Sequence, residues 1–265
     1  MKLWKDRGFR LGLIGKNHCF ETEEDLELFD TLLELGHGGA QGEAWGRPAE
    51  AIQEAGRARR ELVDQNPRFG YATTDAPLED QTTGLVTNAS IRFFEQHAAD
   101  HPDEPFVLWS SFPDPHEPWV CPEEYAAMFR GKIQLPPQRD GEFDDNAPER
   151  NRVLHEMLGW EEDSEEDVLE LLACYYGMMR CVDDGFGRML DSLETLGLSE
   201  NTIVVFTSDH GDFMGEHGQQ CKGGVFFDCL TRVPLIVSWP GQPDKPSVGW
   251  RESCELTSTL RVLVV

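Results

Sequence analysis

Four short apolar runs constrain the fold of this chain most strongly. They are LGLIG (11–15), FVLWSSF (106–112), TIVVFTS (202–208) and VPLIVSW (233–239). They lack the polar–apolar alternation of a strand with one face in water, and such runs are typical of strands covered on both faces. Helical patterns separate several of them, which predicts an α/β fold with a mainly parallel sheet flanked by helices.

The longest helix is predicted from about Glu165 to Leu196, where apolar residues recur at helical spacing. Ser164 with Asp167 fits a capping box at its start, and Gly197 fits its end. Further helices are predicted over about 85–99 and 122–129.

Three polar segments give a weaker signal. The Gly-rich segment 21–80 predicts little order apart from a helix near Glu23–Leu35. Residues 140–151 are predicted as a surface loop, and 160–167 as a solvated acidic face. No repeat or linker divides the chain.

The charge balance is strongly acidic. The 265 residues include 49 Asp and Glu against 23 Lys and Arg, which gives a formal net charge of -26. Such a surface repels nucleic acid and anionic membranes, so neither is expected as a partner. No apolar stretch approaches a membrane span, and the first residues lack a signal-peptide core. Localisation and oligomeric state stay open.

The seven cysteines are odd in number and form no C-x-x-C pair, so neither a zinc site nor a redox motif is indicated. Cys174 and Cys181 lie on the long predicted helix, where packing into the core is the expected role. We therefore expect mostly reduced, structural thiols.

Charged and polar residues follow the predicted strands. Lys16, Asn17 and His18 come after the first run, and Asp114 and His116 after the second. Parallel strands end at one edge of a sheet, where α/β proteins bind ligands, so these groups are expected to meet there.

The third run is followed by the densest group, Asp209, His210 and Asp212, and Lys222 lies in the next turn. A carboxylate beside an imidazole suits a divalent cation such as Ca²⁺ or Mg²⁺. Lysines and histidines nearby suit an oxygen-rich anion such as a sulfate or phosphate ester, which needs neutralised charge and a proton for its leaving group.

Each residue alone also has a structural interpretation. GEHG around His217 is typical of a tight turn, and this interpretation is favoured over a catalytic one. A structural role is also slightly favoured for Asp212. Asp183 and Asp184 are expected to belong to the long helix, bonding across its packing partners or facing solvent.

Taken together, these blocks resemble the sulfatase family. GFRLGLIGKNH resembles the signature Gly-Tyr-x-Thr-Gly-x-x-Gly-Lys-Trp-His, and PFVLWSSFPDPHEPW resembles the segment that supplies a second active-site histidine. The stretch from VDDGFGRML through TSDHGDFMGEHG to VPLIVSWPG is similar to the core that ends in the metal-binding turn. The blocks lie in family order, which implies the alkaline-phosphatase-like fold.

The resemblance implies roles for six residues. Asp209 and His210 would bind the divalent metal, which is usually Ca²⁺, with Mg²⁺ or Mn²⁺ as alternatives. Lys16 and Lys222 would contact sulfate oxygens, His18 would assist the nucleophile, and His116 would bind sulfate and assist the leaving group. Asn17 replaces the family's Trp at a position that carries no chemistry.

The family's nucleophile is a formylglycine made within a C/S-x-P-S/A-R motif, and this motif does not occur here. The early aspartate pair that completes the family's metal site is not found either. The resemblance therefore implies that residues 1–265 are an internal part of a sulfatase catalytic domain. Without the nucleophile segment and the C-terminal subdomain, such a part is expected to be inactive alone.

The leading hypothesis is a hydrolase of sulfate monoesters that acts on a small-molecule or glycan sulfate ester. One alternative is a phosphonate or phosphate monoester hydrolase of the same superfamily. Another is a non-catalytic relative that binds a sulfated ligand, although the retained Lys16, His18, His116 and Lys222 count against it. The sequence does not distinguish among individual sulfate esters.

Overall fold

The computed structural model describes residues 1–35, 42–47, 49–64, 70–136, 148–158, 165–240 and 249–252. The helices are α1 Lys2–Lys5, α2 Glu23–Leu26, α3 Ala49–Asp64, α4 Thr82–Asp100, α5 Glu123–Ala127, α6 Glu149–Leu158, α7 Glu165–Thr195 and α8 Asp228–Thr231. The strands are β1 Arg10–Gly15, β2 Thr31–Glu34, β3 Tyr71–Thr74, β4 Phe106–Ser111, β5 Trp119–Pro122, β6 Val204–Thr207, β7 Phe213–Met214, β8 Gln220–Cys221, β9 Arg232–Ser238 and β10 Gly249–Glu252.

A parallel sheet in the order β2-β1-β4 carries the first two predicted strands. Residues Leu11 to Gly15 of β1 are all buried, as expected for a strand covered on both faces. β1 runs in register with β4 from Arg10 opposite Phe106 to Gly15 opposite Ser111, so the two strands end together. The α/β prediction is confirmed.

The second large sheet, β10-β9-β6, is antiparallel, whereas the predicted parallel arrangement is found in β2-β1-β4. A parallel return to a sheet needs a crossover segment, usually a long helix, across its face. The connection 208–231 instead carries the β7–β8 hairpin and the four-residue α8. The chain re-enters through β9 and runs antiparallel to β6.

The long helix predicted from 165 to 196 is confirmed as α7. It ends where Gly197 takes a φ of +71°. The Leu198 N–H donates to Leu193 O at 2.8 Å and the Gly197 N–H donates to Glu194 O at 3.0 Å. This is the Schellman pattern, in which glycine supplies the left-handed residue. Ser164, the predicted N-cap, lies outside the described residues.

The main core lies where α4 and α7 cover the parallel sheet. Phe93 and Phe94 of α4 are at most 1% exposed and pack in one cluster with Ile14, Leu108 and Met189. A second cluster joins β5 to α7 through Trp119 and Leu171, and it includes Cys174. Cys174 and Cys181 are buried on α7, as predicted.

Segment 21–80 is more ordered than predicted. The expected helix near Glu23–Leu35 is only the short α2, and residues 31–34 form β2 beside β1. The Leu11 N–H donates to Asp30 Oδ2 at 2.9 Å, and this contact anchors the chain at the start of β2. Pairing with β1 therefore overrides the local helical pattern. Helix α3 also lies in this segment.

The other two polar segments are described only at their ends. Residues 149–151, the end of the predicted loop 140–151, begin α6, and 165–167 form the first turn of α7. On α7, Asp183 Oδ2 lies 3.0 Å from Arg180 Nη1, and Asp184 Oδ1 lies 2.5 Å from Arg180 Nη2. These two aspartates thus have the structural role expected of them. No helix in the described ranges is long and apolar enough to span a membrane.

Candidate active site

Gly15 ends β1 with a backbone that only glycine fits. Its φ is +107°, and a Cβ at this position would lie 1.9 Å from Ser111 O on β4. The Lys16 N–H donates to this same carbonyl oxygen at 3.0 Å. Lys16 therefore leaves the sheet directly beside the end of β4.

Asn17 fixes the turn that follows. Its Oδ1 accepts from the Cys19 and Phe20 N–H groups at 3.1 and 3.0 Å. Its Nδ2 donates to Phe20 O at 2.7 Å and to Glu34 Oε1 at 2.6 Å. Asn17 thus carries a structural role, and the turn presents His18 on the surface.

The loop after β4 brings His116 to the same edge of the sheet. His116 Nδ1 lies 2.8 Å from Glu117 O and 3.1 Å from Glu117 Oε2. The ring is only partly exposed, at 18%. Because β1 and β4 end together, Lys16, His18 and His116 follow neighbouring strand ends, as predicted.

Asp114, at the base of this loop, is structural. Its Oδ2 accepts from the hydroxyls of Thr82 and Thr83 at 2.6 and 2.5 Å, which ties the loop to the start of α4. Arg59 Nη2 lies 3.8 Å from Asp114 Oδ1 and donates to Pro118 O at 2.6 Å. Arg59 therefore contacts both ends of the His116 loop. It lies on α3, which the sequence did not predict, so no local signal identified it.

The turn after β6 orients His210. Its Nδ1 lies 2.8 Å from Gly211 O, which is a hydrogen bond if this nitrogen carries the proton. Nε2 is then the nitrogen with a lone pair, and it lies 3.7 Å from Asp209 Oδ2. A backbone carbonyl that fixes the ring in this way is typical of metal-binding histidines.

Asp209 and His210 therefore offer a carboxylate oxygen and an imidazole nitrogen on the same side of the turn. This donor pair fits a divalent cation, and a carboxylate oxygen favours a hard ion such as Ca²⁺. Within the described ranges, no group of three or more His, Cys, Asp or Glu is placed to hold a metal ion.

Asp212 is half-buried, and the pKa of its carboxyl is raised from its ordinary value. Burial raises this pKa most, Lys222 and His210 lower it, Glu117 raises it and His116 lowers it. The charges that act on Asp212 thus include three predicted site residues, His116, His210 and Lys222. We call Asp212 and the four residues that act on it the strand-end cluster: His116, Glu117, His210, Asp212 and Lys222.

Three buried polar atoms in this cluster lack a hydrogen-bond partner among the described residues. They are Glu117 Oε2, Asp212 Oδ1 and Lys222 Nζ. The adjacent Cys221 thiol has its pKa raised to about 12 by burial and by the charges of Glu117 and Asp212, while Lys222 acts in the opposite direction. Buried polar groups without partners are costly in a folded protein and are typical of binding sites.

The turn at His217 is confirmed. Gly215 and Gly218 have φ values of +103° and +64°, and His217 itself takes +59°. The His217 ring packs 4.4 Å from the Phe227 ring, measured between centroids. His217 therefore shapes the hairpin beside the cluster.

Comparison with solved structures concerns the fold. The phosphonate monoester hydrolase of Agrobacterium radiobacter superposes with a TM-score of 0.65 at 22% identity, over 91% of this chain and 52% of that chain. At this identity the likeness concerns the fold alone. The chain shares the α/β fold of this enzyme over the superposed part.

The sequence comparisons give the family. The sulfatase family model matches residues 1–262, so the chain belongs to the sulfatase family. It is 33% identical to the uncharacterized sulfatase YidJ of Escherichia coli K12 over 155 residues, which is 58% of this chain and 30% of YidJ. It is also 33% identical to the arylsulfatase of Clostridium perfringens over 167 residues, which is 63% of this chain and 34% of that enzyme. The matched segments are thus about a third of these relatives.

Proposed function

We propose that this chain supplies the oxyanion-binding and cation-binding groups of a sulfate monoester hydrolase. The observation that carries the proposal is that the charges of Lys222, His116 and His210, which lie in three separate turns, all act on the half-buried Asp212. Basic groups are scarce in a protein with a net charge of -26, so their concentration at one sheet edge favours an anionic ligand.

Each basic residue has a chemical task in this proposal. Lys16 and Lys222 bind the non-bridging sulfate oxygens and neutralise their charge. His116 binds the sulfate and, when protonated, gives a proton to the departing alcohol oxygen. His18 donates a hydrogen bond to the nucleophile and assists its regeneration. The family's nucleophile is a formylglycine, and we assign turnover to the full gene product that brings a nucleophile to this cluster.

Asp209 and His210 would hold a divalent cation, for which we favour Ca²⁺ over Mg²⁺ and Mn²⁺. When bound, such an ion stabilises negative charge that develops on the ester oxygens. The supporting observation is the orientation of His210, whose Nδ1 lies against Gly211 O and whose Nε2 lies beside Asp209 Oδ2. The two donor atoms thus lie side by side on this turn.

Hydrolysis of a phosphonate monoester is the second candidate, favoured by the fold shared with the Agrobacterium enzyme. Both esters present negatively charged oxygens to the same lysines and histidines. The two reactions are therefore separated by rate comparison and not by the identity of these residues.

The test measures kcat/KM of the full gene product for 4-nitrophenyl sulfate and for 4-nitrophenyl phenylphosphonate. We expect the sulfate to be the better substrate and K222M to lower its kcat/KM by about 100-fold or more, the typical loss for a removed transition-state donor. K132M is the matched control, because Lys132 is an exposed lysine on the loop after α5 that contacts Met128 O. A higher kcat/KM for the phosphonate would contradict the first proposal.

Cation binding is tested by thermal unfolding of the chain with and without Ca²⁺. A ligand at 100 times its dissociation constant stabilises a fold by about 2.7 kcal/mol, so the midpoint temperature should rise. D209A should remove this rise. D228N is the control, because Asp228 lies on the neighbouring α8 and its exposed carboxylate pairs with Arg232 at the start of β9. An equal Ca²⁺ effect in D209A would exclude Asp209 as a ligand.

A further inference from the structure

The loop that carries His116 joins two separate sheets. This segment, residues 112–118, is the His116 loop. It connects β4, which pairs with β1, directly to β5, which pairs with β3. Because its two ends belong to different sheets, the position of the His116 imidazole depends on the contacts that join the loop to its surroundings.

The loop has few backbone donors of its own. Three of its seven residues are prolines, at positions 113, 115 and 118, and proline has no N–H to donate. The His116 N–H donates to Pro113 O at 3.0 Å, and His116 Nδ1 lies 2.8 Å from Glu117 O. These contacts orient His116 within its own loop. Contacts with other elements are needed to fix the loop relative to the two sheets.

Arg59 of α3 supplies such a contact. Its Nη2 donates to Pro118 O at 2.6 Å and lies 3.8 Å from Asp114 Oδ1. Asp114 and Pro118 lie two residues before and two residues after His116, so one guanidinium nitrogen joins both sides of it. The Arg59 and Asp114 side chains are only 19% and 9% exposed. A charge-assisted hydrogen bond is stronger than one between neutral groups, and water has little access to this one.

The two contacts of Arg59 have different consequences. Asp114 also accepts from two threonine hydroxyls at the start of α4, so this side of the loop is held from a second element. The positive charge of Arg59 compensates the burial of the Asp114 carboxylate, which supports the fold. The bond to Pro118 O ties the other side of the loop to α3. It is therefore the contact that bears most directly on where the loop places His116.

We propose that Arg59 is a positioning residue that holds the His116 loop, so that the imidazole stays in place for the substrate. The inference rests on the proposed function, because it assigns His116 to the sulfate and its leaving group. Arg59 touches no reacting atom in this proposal and acts through His116. It extends the site to α3, which lies in a segment where the sequence predicted little order.

The first measurement needs no substrate. The chain has eight histidines, so a sample labelled with ¹³C at histidine Cε1 gives few resonances, and H116Q identifies the one from His116. We expect R59M to shift the His116 resonance and to leave that of His101, at the far end of α4, in place. R57M is the matched control, because Arg57 lies on the same helix and its exposed guanidinium pairs with Glu54. An unshifted His116 resonance in folded R59M would overturn the inference.

A second pair of variants separates position from stability. R59M removes the positive charge beside the buried Asp114 carboxylate, which destabilises the fold. R59M/D114N avoids this cost, because asparagine still accepts from the threonine hydroxyls through Oδ1. If R59M does not fold, the His116 resonance is compared between D114N and R59M/D114N, and the same shift is expected. Equal resonance positions in these two variants would mean that Arg59 only supports the fold.

The second measurement is kcat/KM of the full gene product for 4-nitrophenyl sulfate in the wild type, R59M, H116Q and R59M/H116Q. We expect R59M to lower kcat/KM about tenfold while His116 is present and less than about twofold in the H116Q background, because residues that act through one another are not additive. A purely structural role would give the same loss in both backgrounds and would overturn the inference.

Failure of the proposed function can be distinguished from failure of this inference. If the full gene product does not hydrolyse sulfate esters, the proposed function fails. The His116 resonance of the chain then still shows whether Arg59 positions the loop.

Discussion

A buried titratable side chain in the core and a half-buried one in the strand-end cluster have different neighbours. His97 of α4 is 2% exposed, and its ring lies 4.7 Å from that of Phe106 and 6.3 Å from that of Phe93. In the strand-end cluster, by contrast, the charges of Lys222, His210 and His116 act on the half-buried Asp212.

The pKa shifts in the two regions show what this difference means. Burial lowers the pKa of His97, and the positive charges of Arg10 and His101 add to this, while Glu104 acts in the opposite direction. An imidazole in this setting is most stable uncharged, as a packing group. In the cluster, burial raises the pKa of the Asp212 carboxyl, and the cationic groups Lys222 and His210 act against this. Burial therefore disfavours the charged form in both regions, but in the cluster the strongest effects that oppose it come from basic side chains.

The largest effect is expected from F93A in the core. Phe93 is 1% exposed and packs against Phe106 and His97, and loss of a buried Phe side chain costs about 3–5 kcal/mol of unfolding free energy. Urea unfolding should show this loss. The sulfate dissociation constant of the folded variant should stay within about twofold of the wild-type value, because the free-energy effects of changes at distant sites are usually independent. Weaker sulfate binding by folded F93A would show that the core and the strand-end cluster are energetically coupled.

A backbone change should affect the cluster directly. G211A forces a Cβ against Cys229 O, and overpacking of this kind costs about 1–3 kcal/mol. Because Gly211 joins His210 to Asp212, the same variant should also lose its stabilisation by Ca²⁺ in thermal unfolding. G187A on α7 is the matched control, since a Cβ there meets nothing within 4 Å and a helical Gly→Ala change stabilises. Retained Ca²⁺ stabilisation in G211A would contradict the assigned role of this turn.

The fold was predictable where local pattern and final environment agree. The apolar runs predicted β1, β4, β6 and β9, and helical spacing predicted α7 to within a residue at its end. The short strand β2 and the antiparallel direction of β9 were not predictable, because each depends on pairing with a distant strand. Local leucines in β2 suit a helix equally well until β1 supplies the hydrogen bonds.

The site was predictable in its members and not in its arrangement. Strand ends and their order along the chain indicated His116, His210 and Lys222, and the charges of all three act on Asp212. This effect depends on contacts between turns that are distant in the sequence, and the contact of Arg59 with the His116 loop depends on how α3 packs. Neither feature can be recognised from the local sequence. The roles of the six site residues stay predictions.

A smaller effect of opposite sign is expected from neutralising the cluster. D212N removes a carboxylate whose charged form is disfavoured by burial, so the unfolding free energy without Ca²⁺ should rise by about 1 kcal/mol, as is common when a functional charge is removed. A carboxyl with a raised folded-state pKa contributes stability at low pH that is lost as pH rises. D212N should therefore gain most over the wild type at neutral pH and little near pH 4. A variant less stable than the wild type at neutral pH would show that the charge supports the fold.

The smallest effect concerns His97, and its pH dependence should run the other way. Its folded-state pKa lies below the unfolded value of 6.5, so as the pH falls His97 is protonated in the unfolded chain before it is protonated in the folded protein. Stability from the neutral ring is present above the unfolded pKa and is lost as pH falls through it toward the folded pKa. H97Q, which cannot be protonated, should lose less unfolding free energy than the wild type between about pH 7 and 5.

H101Q is the control, because His101 is partly exposed and pairs with Glu104 at 3.1 Å. If the unfolding free energy of wild type and H97Q falls equally with pH, His97 is protonated in the folded state as easily as in the unfolded state. His97 would then not be held uncharged by the core.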